Sequence, residues 1–191
     1  MVDDPFAEID DIRLALGDLC IAWAHLEDGY FTLVIYLLGA SGEGVEETLR
    51  NQMDIRQMAA FQKAIASTRK LNPATPHIVA LADIIDEKLL PPRNRYVHDP
   101  IYTWITHFSR SEYRTKFGPT ADNPDVKFWK ESPIRKGEIE LLVECIRLAE
   151  EYSGAITAVI DDDEIDGQAR MDDSANALKK AISEYVTLTK S

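Results

Sequence analysis

Cysteine is nearly absent, with only Cys20 and Cys145 in 191 residues. So sparse a pair excludes a disulfide scaffold and a four-cysteine metal module. Both fall on apolar faces of predicted helices, and both are expected to be reduced core residues. Long apolar runs are missing as well. The longest apolar-rich stretch, Tyr30 to Ala40, is too short to span a bilayer. The opening residues Met1-Val2-Asp3-Asp4 lack the basic and apolar regions of a signal peptide. These absences predict a cytoplasmic protein without a membrane partner. Positive charge is in deficit: 21 Lys and Arg against 33 Asp and Glu, a net −12. That balance argues against broad nonspecific nucleic-acid binding. Glycine builds no phosphate-cradling loop, G-x-S-x-G and H-E-x-x-H do not occur, and no His/Cys spacing fits zinc. No metal site and no cofactor is expected. Asp162 to Asp173 partly matches a calcium loop, but Glu164, Ala169 and Asp173 depart from its third, eighth and twelfth positions. That stretch is read as a solvated acidic break between helices.

What is present begins with an uneven charge. Lys88 to Lys136 holds ten basic and five acidic residues, +5, which leaves −17 for the remainder. A basic segment inside an acidic body suits a local phosphate site. Helical periodicity dominates elsewhere. Ile12, Leu16, Leu19, Trp23, Leu26, Tyr30, Leu33 and Leu37 alternate spacings of four and three, a heptad seam on one long first helix. Asp54-Ile55-Arg56-Gln57 has capping-box character and opens a second helix with Ile55, Met58, Phe61 and Ile65 inward. A third helix carries Ile78, Leu81, Ile85 and Leu89. Ile139, Leu142, Ile146, Ala149, Ser153 and Ile156 make another seam, the expected partner of the first. A last helix over 168–189 places Met171, Ala175, Leu178, Ile182 and Tyr185 on one face. Between them, Ile101 to Thr106 alternates with period two, and Tyr113 to Phe117 can pair with it across a Ser109-Arg110-Ser111-Glu112 turn. The prediction is an all-α single domain over 1–191. It is a bundle of about five helices with a small β-hairpin after the third, the hairpin and its loop filling 101–133.

The densest chemistry lies in Pro91-Pro92-Arg93-Asn94-Arg95-Tyr96-Val97-His98-Asp99-Pro100. Proline fixes φ and lacks an N–H, so Pro91-Pro92 should close the third helix, and Asp99-Pro100 should stop the short helical turn that follows. Positions five apart on a helix lie roughly 140° apart, so Arg93 and His98 converge only in a terminal turn or across a symmetric interface. Histidine titrates near neutrality, and arginine offers a permanent planar fork to phosphate oxygens. Asn94 could orient a ribose or the imidazole. Arg95 could bind a phosphate and Tyr96 stack a base, with Arg110 and Arg114 as further RNA contacts in the same basic segment. Glu27, beside the seam, and Asp99 are candidate supporting carboxylates that hold Arg93 or His98. The competing interpretation is structural: Arg93 paired with Glu27 or Asp99, and His98 capping a helix end.

Arg followed by Asn, with His five residues after the Arg, resembles the R-x4–6-H motif of the HEPN superfamily of all-helical RNases and RNA-binding proteins. Trp23-Ala24-His25-Leu26-Glu27 on a long early helix adds to the resemblance. The likeness is chemical over six residues and one of layout over about 5–160. It implies a metal-independent endoribonuclease, a toxin or defence effector, with Arg93 and His98 catalytic. Two protomers would form one composite cleft, and the product would end in a 2′,3′-cyclic phosphate. The alternative is a noncatalytic HEPN-like interaction module whose acidic surface meets an antitoxin or other basic protein.

Overall fold

The computed structural model describes residues 7–39, 43–69, 71, 73–98, 101–103, 108–111, 131–162 and 166–190. Helix α1 (Ala7–Leu38) runs through the centre. Its seam residues Ile12, Leu19, Trp23, Leu26, Tyr30, Leu33 and Leu37 are buried, and Leu16 is partly so. Helix α6 (Lys136–Asp162) packs along it, with its own seam from Ile139 to Ile156 fully buried. The two helices run parallel. Lys136 Nζ meets Asp11 Oδ2 at 3.0 Å near one end, and the Ser153 hydroxyl donates to the Gly29 carbonyl at 3.4 Å farther along. The seam of α1 is therefore filled by α6 of its own chain, the partner its spacing predicted.

Helix α7 (Gly167–Lys190) folds back on α6 through Met171, Ala175, Leu178, Ala181 and Tyr185. Gly167 makes that return possible, because a Cβ there would collide with the Val159 side chain. On the other side, α2 (Glu43–Gln52) is tied to α1 by Arg50. Its guanidinium lies 4.3 Å over the Phe31 ring and pairs with Asp28 at 2.7 Å. Helix α3 (Ile55–Arg69) starts in a reciprocal capping box. The Gln57 N–H donates to Asp54 Oδ1 at 2.8 Å, and the Asp54 N–H donates to Gln57 Oε1 at 2.7 Å.

Helix α4 (Ala74–Ile84) does not end at the two prolines. It passes through a π-helical turn (Ile85–Leu89) directly into α5 (Leu90–His98). The expected break at Pro91-Pro92 is thus corrected, for a geometric reason. In an unbroken α-helix the two rings would press on the carbonyls of Glu87 and Lys88. Here the Leu90 N–H reaches back five residues to the Ile85 carbonyl. The wider turn moves those carbonyls aside and puts the prolines in the first turn of a new helix, where a missing N–H costs nothing. Lys63–Asp83 at 2.8 Å and Arg56–Asp86 at 3.4 Å staple this region to α3.

Counting 74–98 as one continuous rod, the described residues hold six helices, one more than the five or so expected; α2 covers Val45 to Asn51, a stretch whose sequence also suits a short helix. The class is all-α. Three short strands form an antiparallel sheet in the order β1 (Ile101–Thr103), β2 (Phe108–Ser111), β3 (Glu131–Pro133). The expected hairpin is not the one found. Its intended turn residues 109–111 are strand, with Ile101 opposite Arg110 and Arg110 opposite Ser132. Its intended second strand, 113–117, lies outside the described residues. Ser-Arg-Ser reads as turn chemistry, yet backbone pairing on both sides makes it a central strand. Pro133 is tolerated because β3 is an edge.

Candidate functional site

Helix α5 is held on two sides. Tyr96 points into the core, and its hydroxyl donates to Glu138 Oε2 at 3.1 Å. Glu138 is itself buried in the first turn of α6, and its other oxygen lies 3.9 Å from Arg135 Nη1. Against α1, the Arg93 guanidinium carbon sits 5.0 Å from the Trp23 ring centroid, within cation–π range. Trp23 is 1% exposed and belongs to the core of α1.

Arg93 Nη1 donates to Asn94 Oδ1 at 3.0 Å and approaches His98 Nε2 at 3.3 Å. Arginine has no acceptor, so in this contact Nε2 is the acceptor. The pair meets although it is five residues apart. His98 is the last residue of α5, and helical side chains lean back over the preceding turn. Arg93 is long enough to meet it there. Arg93 Nε is buried and finds no hydrogen-bond partner among the described residues. Arg93 and Asn94 are half-buried, whereas Arg95 and His98 are exposed.

The other expected site residues fare differently. Glu27 is half-buried and makes no hydrogen bond or ion pair with Arg93 or His98 among the described residues. Trp23, one turn earlier on the same helix, meets Arg93 instead. Tyr96 is not placed to stack a base, because burial and Glu138 occupy it. Arg110 is a β2 residue just after the motif. Asp99 and Arg114 lie outside the described residues. Two contributors escaped the sequence. Trp23 read as a seam residue and as part of the stretch leading to Glu27, and Glu138 carries no mark that distinguishes it from other acids opening a helix.

A second polar cluster joins α4, α6 and α7. His77 Nδ1 lies 2.7 Å from the Tyr152 hydroxyl, and the Gln168 amide nitrogen lies 3.1 Å from His77 Nε2 and 3.1 Å from Asp172 Oδ2. Burial lowers the His77 pKa, with Lys179 adding to the effect and Asp172 opposing it. Burial, aided by Asp172, pushes the Tyr152 phenol up to about 12. Cys145 is buried and its thiol is likewise pushed up to about 12. Cys20 is exposed, a correction to the core placement expected for it, since it lies a third of a turn off the seam at Leu19. Among the described residues no group of His, Cys, Asp and Glu could hold a metal ion, and no helix is long and apolar enough to cross a membrane. No family model, curated protein or solved structure matches the chain, so the site must be interpreted from its own geometry.

Proposed function

We propose that this chain is a metal-independent endoribonuclease of HEPN type, acting on RNA through its 2′-hydroxyl. One observation carries the proposal. Arg93 and His98 meet at 3.3 Å, and no carboxylate pairs with Arg93 among the described residues. A structural pair would be buried and neutralised; this one keeps an exposed histidine beside a cation that no described carboxylate neutralises. As a phosphate draws the Arg93 fork from Nε2, that nitrogen of His98 takes the 2′-OH proton, the 2′-oxygen bonds to phosphorus, and the P–O5′ bond breaks. Arg93 stabilises the extra charge of the phosphorane. The products are a 2′,3′-cyclic phosphate and a 5′-hydroxyl, whose proton comes from a protonated His98 of a second copy in a symmetric dimer. Asn94, bonded to Arg93, keeps the fork in register. An acidic body around this site leaves affinity to local contacts and suits a toxin or defence effector restrained by a basic partner.

Cleavage of a mixed RNA pool in EDTA, by wild type and His98→Ala, tests the proposal. EDTA-resistant cutting that leaves cyclic phosphate ends and disappears in the variant is expected. No cutting by folded protein, or equal cutting by the variant, overturns it. The second possibility, a noncatalytic interaction module, is favoured by one specific feature. Leu14 and Ile21 lie 69% and 58% exposed, two turns apart on the outer side of α1.

A further inference from the structure

Holding a long cation in place without cancelling its charge is a problem that any phosphate-binding arginine faces. The usual solution for a half-buried arginine is a carboxylate, which fixes the fork and also neutralises it. Here Glu27 is within a turn of the right place on α1 and does not take the role. The ring of Trp23 stands there instead, 5.0 Å from the guanidinium carbon. Trp23 is locked in the core of α1, so its face is a fixed wall rather than a mobile lid. Against that wall the Arg93 Nε is buried and goes without a partner among the described residues. An unsatisfied buried donor is unfavourable, so this orientation of the fork must be stabilised by other contacts. Those contacts are the ring face and the two bonds at Nη1, to Asn94 and His98.

We propose that Trp23 is a positioning residue for the Arg93–His98 pair. Its indole face holds the guanidinium so that Nη1 fixes the His98 tautomer, while the charge stays free for a phosphate oxygen. The catalytic part rests on the endoribonuclease proposal; the positioning part does not. An aromatic wall has a further consequence. Its hold on Arg93 does not vanish when a phosphate arrives, whereas a carboxylate would compete with the phosphate for the same donors.

Trp23→Phe and Trp23→Leu separate the two parts, with thermal melts to establish folding. Nitrogen chemical shifts of the His98 ring read the tautomer directly. Wild type is expected to show Nε2 as the acceptor, and the variants a mixture of tautomers, more mixed in Trp23→Leu. Rates on an RNA substrate are expected to lose roughly threefold to tenfold in kcat for Trp23→Phe, with KM changed by less than about twofold. Where Trp23→Leu fails to fold, Trp23→Phe alone decides. Ring shifts identical to wild type in every folded variant overturn the positioning role, whatever the rates do. A wild-type protein that cuts no RNA overturns the nuclease proposal, and the tautomer measurement still decides the role of Trp23.

Discussion

Removing the Tyr96 hydroxyl should loosen the motif helix from the body. Tyr96→Phe keeps the ring and its burial and removes the 3.1 Å contact with Glu138 Oε2. The carboxylate left behind is buried, and among the described residues its other oxygen has only Arg135 at 3.9 Å, too long for a hydrogen bond. A hydrogen bond to a charged group contributes about 1.5–3 kcal/mol, and stranding its buried partner keeps the loss within that range. We expect about 2 kcal/mol. For a chain of this size that corresponds to roughly 4–8 °C in Tm. Glu138→Gln retains an acceptor and should lose less, about 1 kcal/mol. Glu138→Ala should lose as much as Tyr96→Phe or more, and the double variant should cost less than the sum, by about 1 kcal/mol or more. Urea titrations of the four proteins measure these values. The bond is also the tie between α5 and α6, so amide exchange at 93–98 should quicken in Tyr96→Phe. A Tyr96→Phe midpoint within about 0.5 kcal/mol of wild type, or additive single-variant losses, would refute the view that this bond seats the motif.

Other parts of the fold make separate predictions. Gly167→Ala should cost about 1–3 kcal/mol, because the new methyl meets Val159, whereas Gly154→Ala, with open space around its Cβ, should gain up to about 1 kcal/mol in the same melt. Asp54→Ala removes one arm of the capping box and should cost about 1 kcal/mol by urea titration. His77 predicts a pH dependence. Its folded pKa lies below the ordinary 6.5, so the unfolded chain binds more protons in that window. The contribution is therefore intact above pH 6.5 and lost as pH falls through the folded value. The groups facing His77 are Tyr152, Gln168, Asp172 and Lys179. Stability of His77→Gln should fall less steeply than wild type between pH 7 and pH 5; parallel curves would exclude His77 as the source.

The seams of α1 and α6 were legible because heptad spacing is a property of the chain itself: every residue that marks the α6 seam is buried. The capping box was legible for the same reason, since Asp54 and Gln57 are three residues apart and need no tertiary partner. What was not legible depends on which elements meet. Glu27 and Trp23 lie on adjacent turns of α1, and only the docking of α5 decides which of them faces Arg93. Tyr96 looked like a free ring in a basic segment. Its partner Glu138 lies 42 residues away, and no local pattern joins them. The strand at Phe108–Ser111 escaped because its residues carry turn chemistry, and its two neighbours supply the pairing.

The departure at Pro91-Pro92 differs in kind, because there a sound local rule was overridden. Two adjacent prolines end an ordinary helix, and this chain continues by widening the preceding turn to i→i−5 spacing. Within nine residues of that turn lie the buried, unpartnered Nε of Arg93 and the histidine that accepts from its fork. Natural sequences break local rules where function requires a geometry that regular structure cannot give. A regular helix through 85–98 would have forced the proline rings onto two carbonyls; a clean stop at Leu90 would have left Arg93 in a loop, without a rigid element to aim it. The π turn avoids both, and it delivers Arg93 to Trp23 with helical stiffness. The fold and the proposed chemistry therefore meet in one local irregularity. Pro91→Ala/Pro92→Ala tests that link: with the ring clash gone, the turn is free to tighten to α spacing, which would rotate α5 and carry Arg93 off the Trp23 face.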